Sequence, residues 1–146
     1  MIFLLGLGLR IYGLGTESLW YDEAVSVSAS RLGIADQITW NLSHSDNNPP
    51  LYYSILHCWV SLFGDSEFSV RFPSAIFGSL SILAIYAIGN LLFGRKTGLI
   101  AALILATSVF HVWFSQEARA YTLLTLFTLL SFYYFLRLVS APQDKL

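Results

Sequence analysis

Residues 72–93 read FPSAIFGSLSILAIYAIGNLLF, an uninterrupted stretch from Phe72 to Phe93 that carries no charge. A helix rises 1.5 Å per residue and the hydrocarbon core of a bilayer is about 30 Å thick, so this run is long enough to cross it. Pro73 is expected in the first turn of that helix, where a missing N–H costs nothing. Thr97 to Gln116 is a second uncharged run, and Ala120 to Leu136 a third, somewhat shorter. Toward the amino terminus, Met1 to Leu9 is apolar, Arg10 interrupts it, and Ile11 to Leu14 resumes it. That pattern reads as the end of a first spanning helix beginning at or before residue 1. A secretory signal is the competing reading, but no basic segment precedes the stretch and no small-residue cleavage site follows it. The expected fold class is an all-α integral membrane protein with about four transmembrane helices, plus interfacial helices in the first extracytoplasmic loop.

Composition agrees. Of 146 residues, 55% are hydrophobic and 12% charged, and mean hydropathy is +0.62; a typical soluble domain is roughly 25% charged. A formal net charge of −1 offers no basic surface for a nucleic-acid backbone, so no nucleic-acid partner is expected. The lone Cys58 forms no intramolecular disulfide. The 16% of aromatic residues suits interfacial rings.

Lys and Arg accumulate on cytoplasmic loops. Arg95 and Lys96 follow the second span, and Arg137 and Lys145 follow the fourth, so that side is expected to be cytoplasmic. Of nine acidic residues, only Asp144 then falls inside. The expected divisions are a truncated first transmembrane helix over 1–14, an extracytoplasmic loop with juxtamembrane helices over 15–70, three transmembrane helices over 71–139, and a cytoplasmic polar tail over 140–146. The expected location is the plasma membrane, multi-pass, with the catalytic loops outside.

Within the outer segment, Asp22 and Glu23 open a helical stretch that carries Ala24, Val25, Ser28 and Leu32 on one side and that Gly33 can end. A second short stretch runs from Ile34 to Leu42. The polar run Ser43 to Asn48 stops at Pro49 and Pro50, after which Leu51 to Phe63 reaches only about 20 Å and is expected to lie along the membrane surface.

Two places offer chemistry. Asp22 and Glu23 stand beside Trp20 and Tyr21 at a helix start; a capped, solvated helix end is the plain alternative. Ser115 to Tyr121 is a polar interruption between two apolar spans. Glu117 and Arg119 there either mark a tight outer turn or line an interfacial cleft with the acid pair. A carboxylate can take a proton from an attacking hydroxyl, and Arg presents a fixed fork of donors to a phosphate. His44, His57 and His111 have no metal-ligand spacing, and Asn41-Leu42-Ser43 is a short glycosylation sequon. Arg71 follows Glu67 by four residues, which permits a helical ion pair or an interfacial anchor.

Taken in order, Trp20-Tyr21-Asp22-Glu23-Ala24, Asn48-Pro49-Pro50-Leu51-Tyr52-Tyr53, Phe63-Gly64, Arg71-Phe72-Pro73-Ser74 and Gln116-Glu117-Ala118-Arg119-Ala120-Tyr121 resemble the amino-terminal part of polytopic GT-C glycosyltransferases. The likeness is to the protein-mannosyltransferase-like group, which includes the lipid A aminoarabinose transferase. It implies a membrane enzyme that moves a sugar, hexosyl or pentosyl, from a polyprenyl-phosphate carrier to an extracytoplasmic acceptor (protein, lipid or glycan), with inversion. By resemblance, the acids of the first outer loop are catalytic, with Asp22 as base and Glu23 beside it. Glu117, Arg119 and Tyr121, together with Arg71 and Tyr52, form the candidate substrate-binding set. No cofactor is certain; a divalent metal on Asp22 or Glu117 fits a superfamily in which metal use differs. Relatives often carry a His where this chain has Asn48, which puts a His-dependent contact in doubt. Relatives also have roughly a dozen membrane helices, so the chain reads as an amino-terminal portion, not active alone. The alternative class is a non-catalytic lipid-binding or transport-type membrane module, but a transporter places ionisable groups near mid-bilayer and the long spans carry none.

Overall fold

Residues 1–43 and 50–140 are described by a computed structural model, and every regular element among them is an α-helix. In chain order these are α1 (Ile2–Ile11), α2 (Tyr21–Ser30), α3 (Ile34–Ser43), α4 (Pro50–Phe63), α5 (Glu67–Phe93), α6 (Arg95–Thr107), α7 (Val109–Ser115) and α8 (Tyr121–Val139). His44, Asp46, Asn48, the 141–146 tail and the side chains of the Asn41–Ser43 sequon lie outside the described residues.

α5 is the hub. It packs against α1, α4, α6, α7 and α8. It begins at Glu67, ahead of the expected Phe72, because the Ser66 side chain accepts the Ser69 N–H and caps an earlier first turn. Pro73 therefore sits inside the helix and not in its first turn, and the Ser69 carbonyl loses its helical N–H partner. The helix stops at Gly94, whose φ of 88° lies in the left-handed region that glycine tolerates. α6 then returns against α5 so closely that a Cβ on Gly89 would lie 2.9 Å from the Gly98 Cα.

One expectation about spans changes. Thr97 to Gln116 is not one rod: α6 and α7 meet at a 61° bend. Ser108 stands at the bend and caps α7 by accepting the His111 N–H, offering the backbone an alternative to continued helix. By length and apolarity α5 and α8 suffice to cross a membrane, and the bent α6–α7 pair adds a third where it is taken as one broken span. α1 is apolar and has ten residues, about 15 Å of rise, within the 1–14 segment expected to be a truncated first helix.

The outer segment folds back on this frame. α4 buries Tyr52, Tyr53 and Leu56 in a cluster with Val27, Ala29, Val70, Ala118, Ala120 and Leu123. α2 faces the interior with a largely polar side. Glu23, Ser26, Val27 and Ser30 form its buried stripe, while Ala24 and Ser28 are exposed. Glu23 can share that face with Ala29 because burial of a paired and hydrogen-bonded charge is tolerated where that of a free one is not.

Candidate active site

Glu23 has no exposed surface, and its carboxylate accepts four hydrogen bonds. Oε1 takes Arg71 Nε at 2.8 Å and the Ala118 N–H at 2.9 Å. Oε2 takes Arg71 Nη2 at 2.7 Å and the Trp20 N–H at 3.3 Å. Burial alone raises the pKa of this carboxyl, but the Arg71 hydrogen bonds, the Ala118 N–H and the Arg71 charge together hold it below the usual carboxylate range. Arg71 is equally committed: Nη1 donates to Leu14 O and Glu17 O at 3.0 and 2.9 Å, and Nη2 also donates to Ser18 O at 3.2 Å. All five guanidinium N–H groups thus have protein partners. Glu67, four residues earlier, is not the partner.

This pair joins the α1–α2 connection, α2, α5 and the α7–α8 turn, and it brings Asp22 to Arg119. The Arg119 Nη2 lies 3.8 Å from Asp22 Oδ2, and Nη1 donates to Asp22 O at 3.3 Å. Arg119 Nε is buried with no hydrogen-bond partner among the described residues. The Tyr121 ring lies against the guanidinium, 5.8 Å from centroid to Cζ, close enough for a cation–π contact. Burial weakens the proton affinity of Arg119, but Tyr121 and Asp22 outweigh it and the group stays charged.

Glu117 accepts Trp113 Nε1 at 2.7 Å. Its carboxyl is raised, first by burial, against the Trp113 hydrogen bond, with the negative Glu23 adding to the rise. Glu117, Trp113, Trp20, Glu17 and Tyr12 are among the walls of a hollow of about 600 Å³, floored in part by Glu23 and Arg71. Asp22 and Arg119 do not line it. Tyr52, expected at the substrate, is buried instead. Its hydroxyl pairs with Ser74 Oγ at 2.8 Å, and Ser74 Oγ donates to Arg119 O at 3.1 Å, so Tyr52 supports the arginine from behind. Ser74 was marked only as the end of the Arg71-Phe72-Pro73-Ser74 motif, without a role, and Trp113 carried no sequence signal: their partners are distant in sequence or depend on a turn whose path sequence does not specify. His57 contacts Ser30 O and His111 contacts Arg10. Among the described residues no group of three or more His, Cys, Asp or Glu is placed to hold a metal ion. Asp22 faces a guanidinium and Glu117 an indole N–H, so these acids do not by themselves form a cation cage.

The depressed Glu23 carboxyl has a pH consequence. A carboxyl held below its ordinary value of 4.5 contributes stability that is full above that value and lost as pH falls through the lower folded value. In detergent, the unfolding midpoint is therefore expected to fall on acidification below about pH 4.5 and to do so less in Glu23→Gln. Equal acid sensitivity of the two proteins would place the titration elsewhere.

No curated protein and no solved structure matches the chain. The family of dolichyl-phosphate-mannose-protein mannosyltransferases matches residues 47–146, the segment from α4 through α8 that carries Arg71, Glu117, Arg119 and Tyr121. Asp22 and Glu23 precede the match and are joined to it by the Arg119 and Arg71 contacts described above. A match over that much of the chain, on a frame of apolar helices, identifies it as a member of the dolichyl-phosphate-mannose-protein mannosyltransferase family, a family of membrane glycosyltransferases.

Proposed function

We propose that the chain forms the catalytic rim of a GT-C enzyme that transfers a sugar from a polyprenyl-phosphate carrier to an acceptor on the extracytoplasmic face, with inversion. The observation that carries this reading is Arg119: a charged guanidinium with a buried, unpartnered Nε, held 3.8 Å from the Asp22 carboxylate. A phosphate of the carrier satisfies Arg119, and Asp22 then stands beside the sugar–phosphate linkage.

In the reaction the acceptor hydroxyl gives its proton to Asp22 as its oxygen bonds to the anomeric carbon. The bond from that carbon to the phosphate oxygen breaks on the opposite face, and the leaving electron pair stays on the phosphate, stabilised by Arg119. Proton transfer comes late, when the acceptor oxygen has become acidic through its new bond to the anomeric carbon. Glu23 and Arg71 act as positioning groups. Their hydrogen-bonding capacity is spent on one another and on the backbone, which leaves contact with substrate to Asp22, Arg119, Tyr121 and Glu117.

The test is sugar release from a polyprenyl-phosphate donor by the intact protein in membranes. Arg119→Ala is expected to raise the carrier KM by roughly tenfold to a hundredfold, the size of a lost hydrogen bond to a charged group. Arg119→Lys restores only part of it, because an ammonium lacks the planar fork. Unchanged carrier KM and rate in Arg119→Ala would end this assignment.

A further inference from the structure

Arg10 is fully buried in a helix of apolar neighbours, and among the described residues no carboxylate is its partner. Nε donates to Ser115 Oγ at 3.1 Å. Nη1 donates to Gly6 O at 2.8 Å and Ala106 O at 3.2 Å. Nη2 donates to Leu105 O at 3.2 Å and to His111 Nδ1 at 2.8 Å. Arg can only donate, so His111 Nδ1 accepts and the neutral ring carries its proton on Nε2. An ionisable group in an apolar membrane segment is costly and marks a purpose.

The partners show that purpose. Leu105 and Ala106 lie in the last turn of α6, where the bend at Ser108 takes away the helical N–H groups their carbonyls would have met. Arg10 supplies both the N–H groups and a positive charge at the negative end of that helix. The favour is returned by Gln116, whose Nε2 donates to Tyr12 O at 2.8 Å and, more weakly, to Leu9 O and Arg10 O at 3.3 and 3.4 Å. α1 and the α6–α7 bend therefore cap each other. α5 presses on the junction: a Cβ on Gly78 would lie 2.2 Å from Ser115 Oγ and 3.1 Å from Arg10 Nε. Gln116 is followed directly by Glu117, so this double cap fixes the point from which the turn bearing Arg119 departs.

We propose that Arg10 and Gln116 are positioning residues for sugar transfer, holding the broken span at the angle that presents Arg119 to the carrier phosphate beside Asp22. This rests on the reading of Arg119 given above. The test uses the intact protein in membranes with a polyprenyl-phosphate sugar as probe. Arg10→Lys keeps the charge but cannot reach all five partners; it and Gln116→Ala are expected to raise the carrier KM about tenfold with acceptor KM unchanged. In an Arg119→Ala background neither substitution is expected to raise it further, because both act through the guanidinium that is gone. Unchanged carrier KM in the two variants, a fall in kcat alone, or full additivity with Arg119→Ala overturns the proposal. If Arg10→Lys fails to accumulate, Gln116→Ala, at a partly exposed side chain, decides by itself. A silent Arg119→Ala would sink the functional reading instead, so the two failures are distinct.

Discussion

Asp22→Asn in the intact protein is expected to lower sugar transfer by about 10²–10⁴-fold, the range associated with removing a positioned general base. Asparagine keeps the shape of the side chain but accepts no proton at working pH. The Asp22 side chain is 38% exposed and its nearest ionic partner is at the outer limit of an ion pair, so the variant folds and reaches the membrane at wild-type levels. Its carrier KM stays near wild type, because Arg119 remains charged and its second contact is to the Asp22 backbone carbonyl. The loss therefore appears in kcat alone, whereas Arg119→Ala also raises the carrier KM. Rates are read as sugar released per folded protein. An Asp22→Asn rate within about tenfold of wild type, with Arg119→Ala still impaired, would move the base to another group, and Glu117, with its raised carboxyl, is the next to test.

The second large effect is on folding. Arg71→Met removes the only cation bonded, among the described residues, to a carboxylate with no exposed surface, and breaking a buried pair from one side costs about 3–5 kcal/mol. Against a typical total of about 5–15 kcal/mol, that is enough to deplete the folded protein. The Leu14, Glu17 and Ser18 carbonyls also lose their N–H groups, so the α1–α2 connection loosens together with the pair. The expected result is a sharp fall in membrane level and in the unfolding midpoint in detergent. The double variant Glu23→Gln/Arg71→Met is expected to recover part of the loss, since the stranded charge is gone. A wild-type midpoint for Arg71→Met would show that the pair is incidental to the fold.

The helical frame was legible because bilayer thickness imposes a length and a polarity on any crossing segment, and residues 72–93 and 120–136 satisfy both. The short helices α2 to α4 were legible from Gly, Pro and acid placement. The bend at Ser108 was not, because a serine in an apolar run has the same hydropathy whether or not its hydroxyl caps a new helix. The partners of Glu23 were not legible either: the acid lies 48 residues from Arg71 and 95 from Ala118, and no local period encodes such a contact. For the same reason adjacent acids that look equivalent in sequence acquire different environments, one at an open rim and one sealed among N–H groups. The resemblance placed Arg71 and Tyr52 with the substrate; residue type and order identify a neighbourhood, but which atoms face outward depends on packing.

The bonds around Glu23 also carry an order in time. Ribosomes deliver the acid first, its guanidinium later, and the Ala118 amide last, with about 5–20 residues emerging each second. For several seconds the nascent chain holds Glu23 and Arg71 without the last donor that closes their socket. Quality-control factors meeting the protein during that interval encounter an ionic knot still open on one side, and the turn between α7 and α8 closes it.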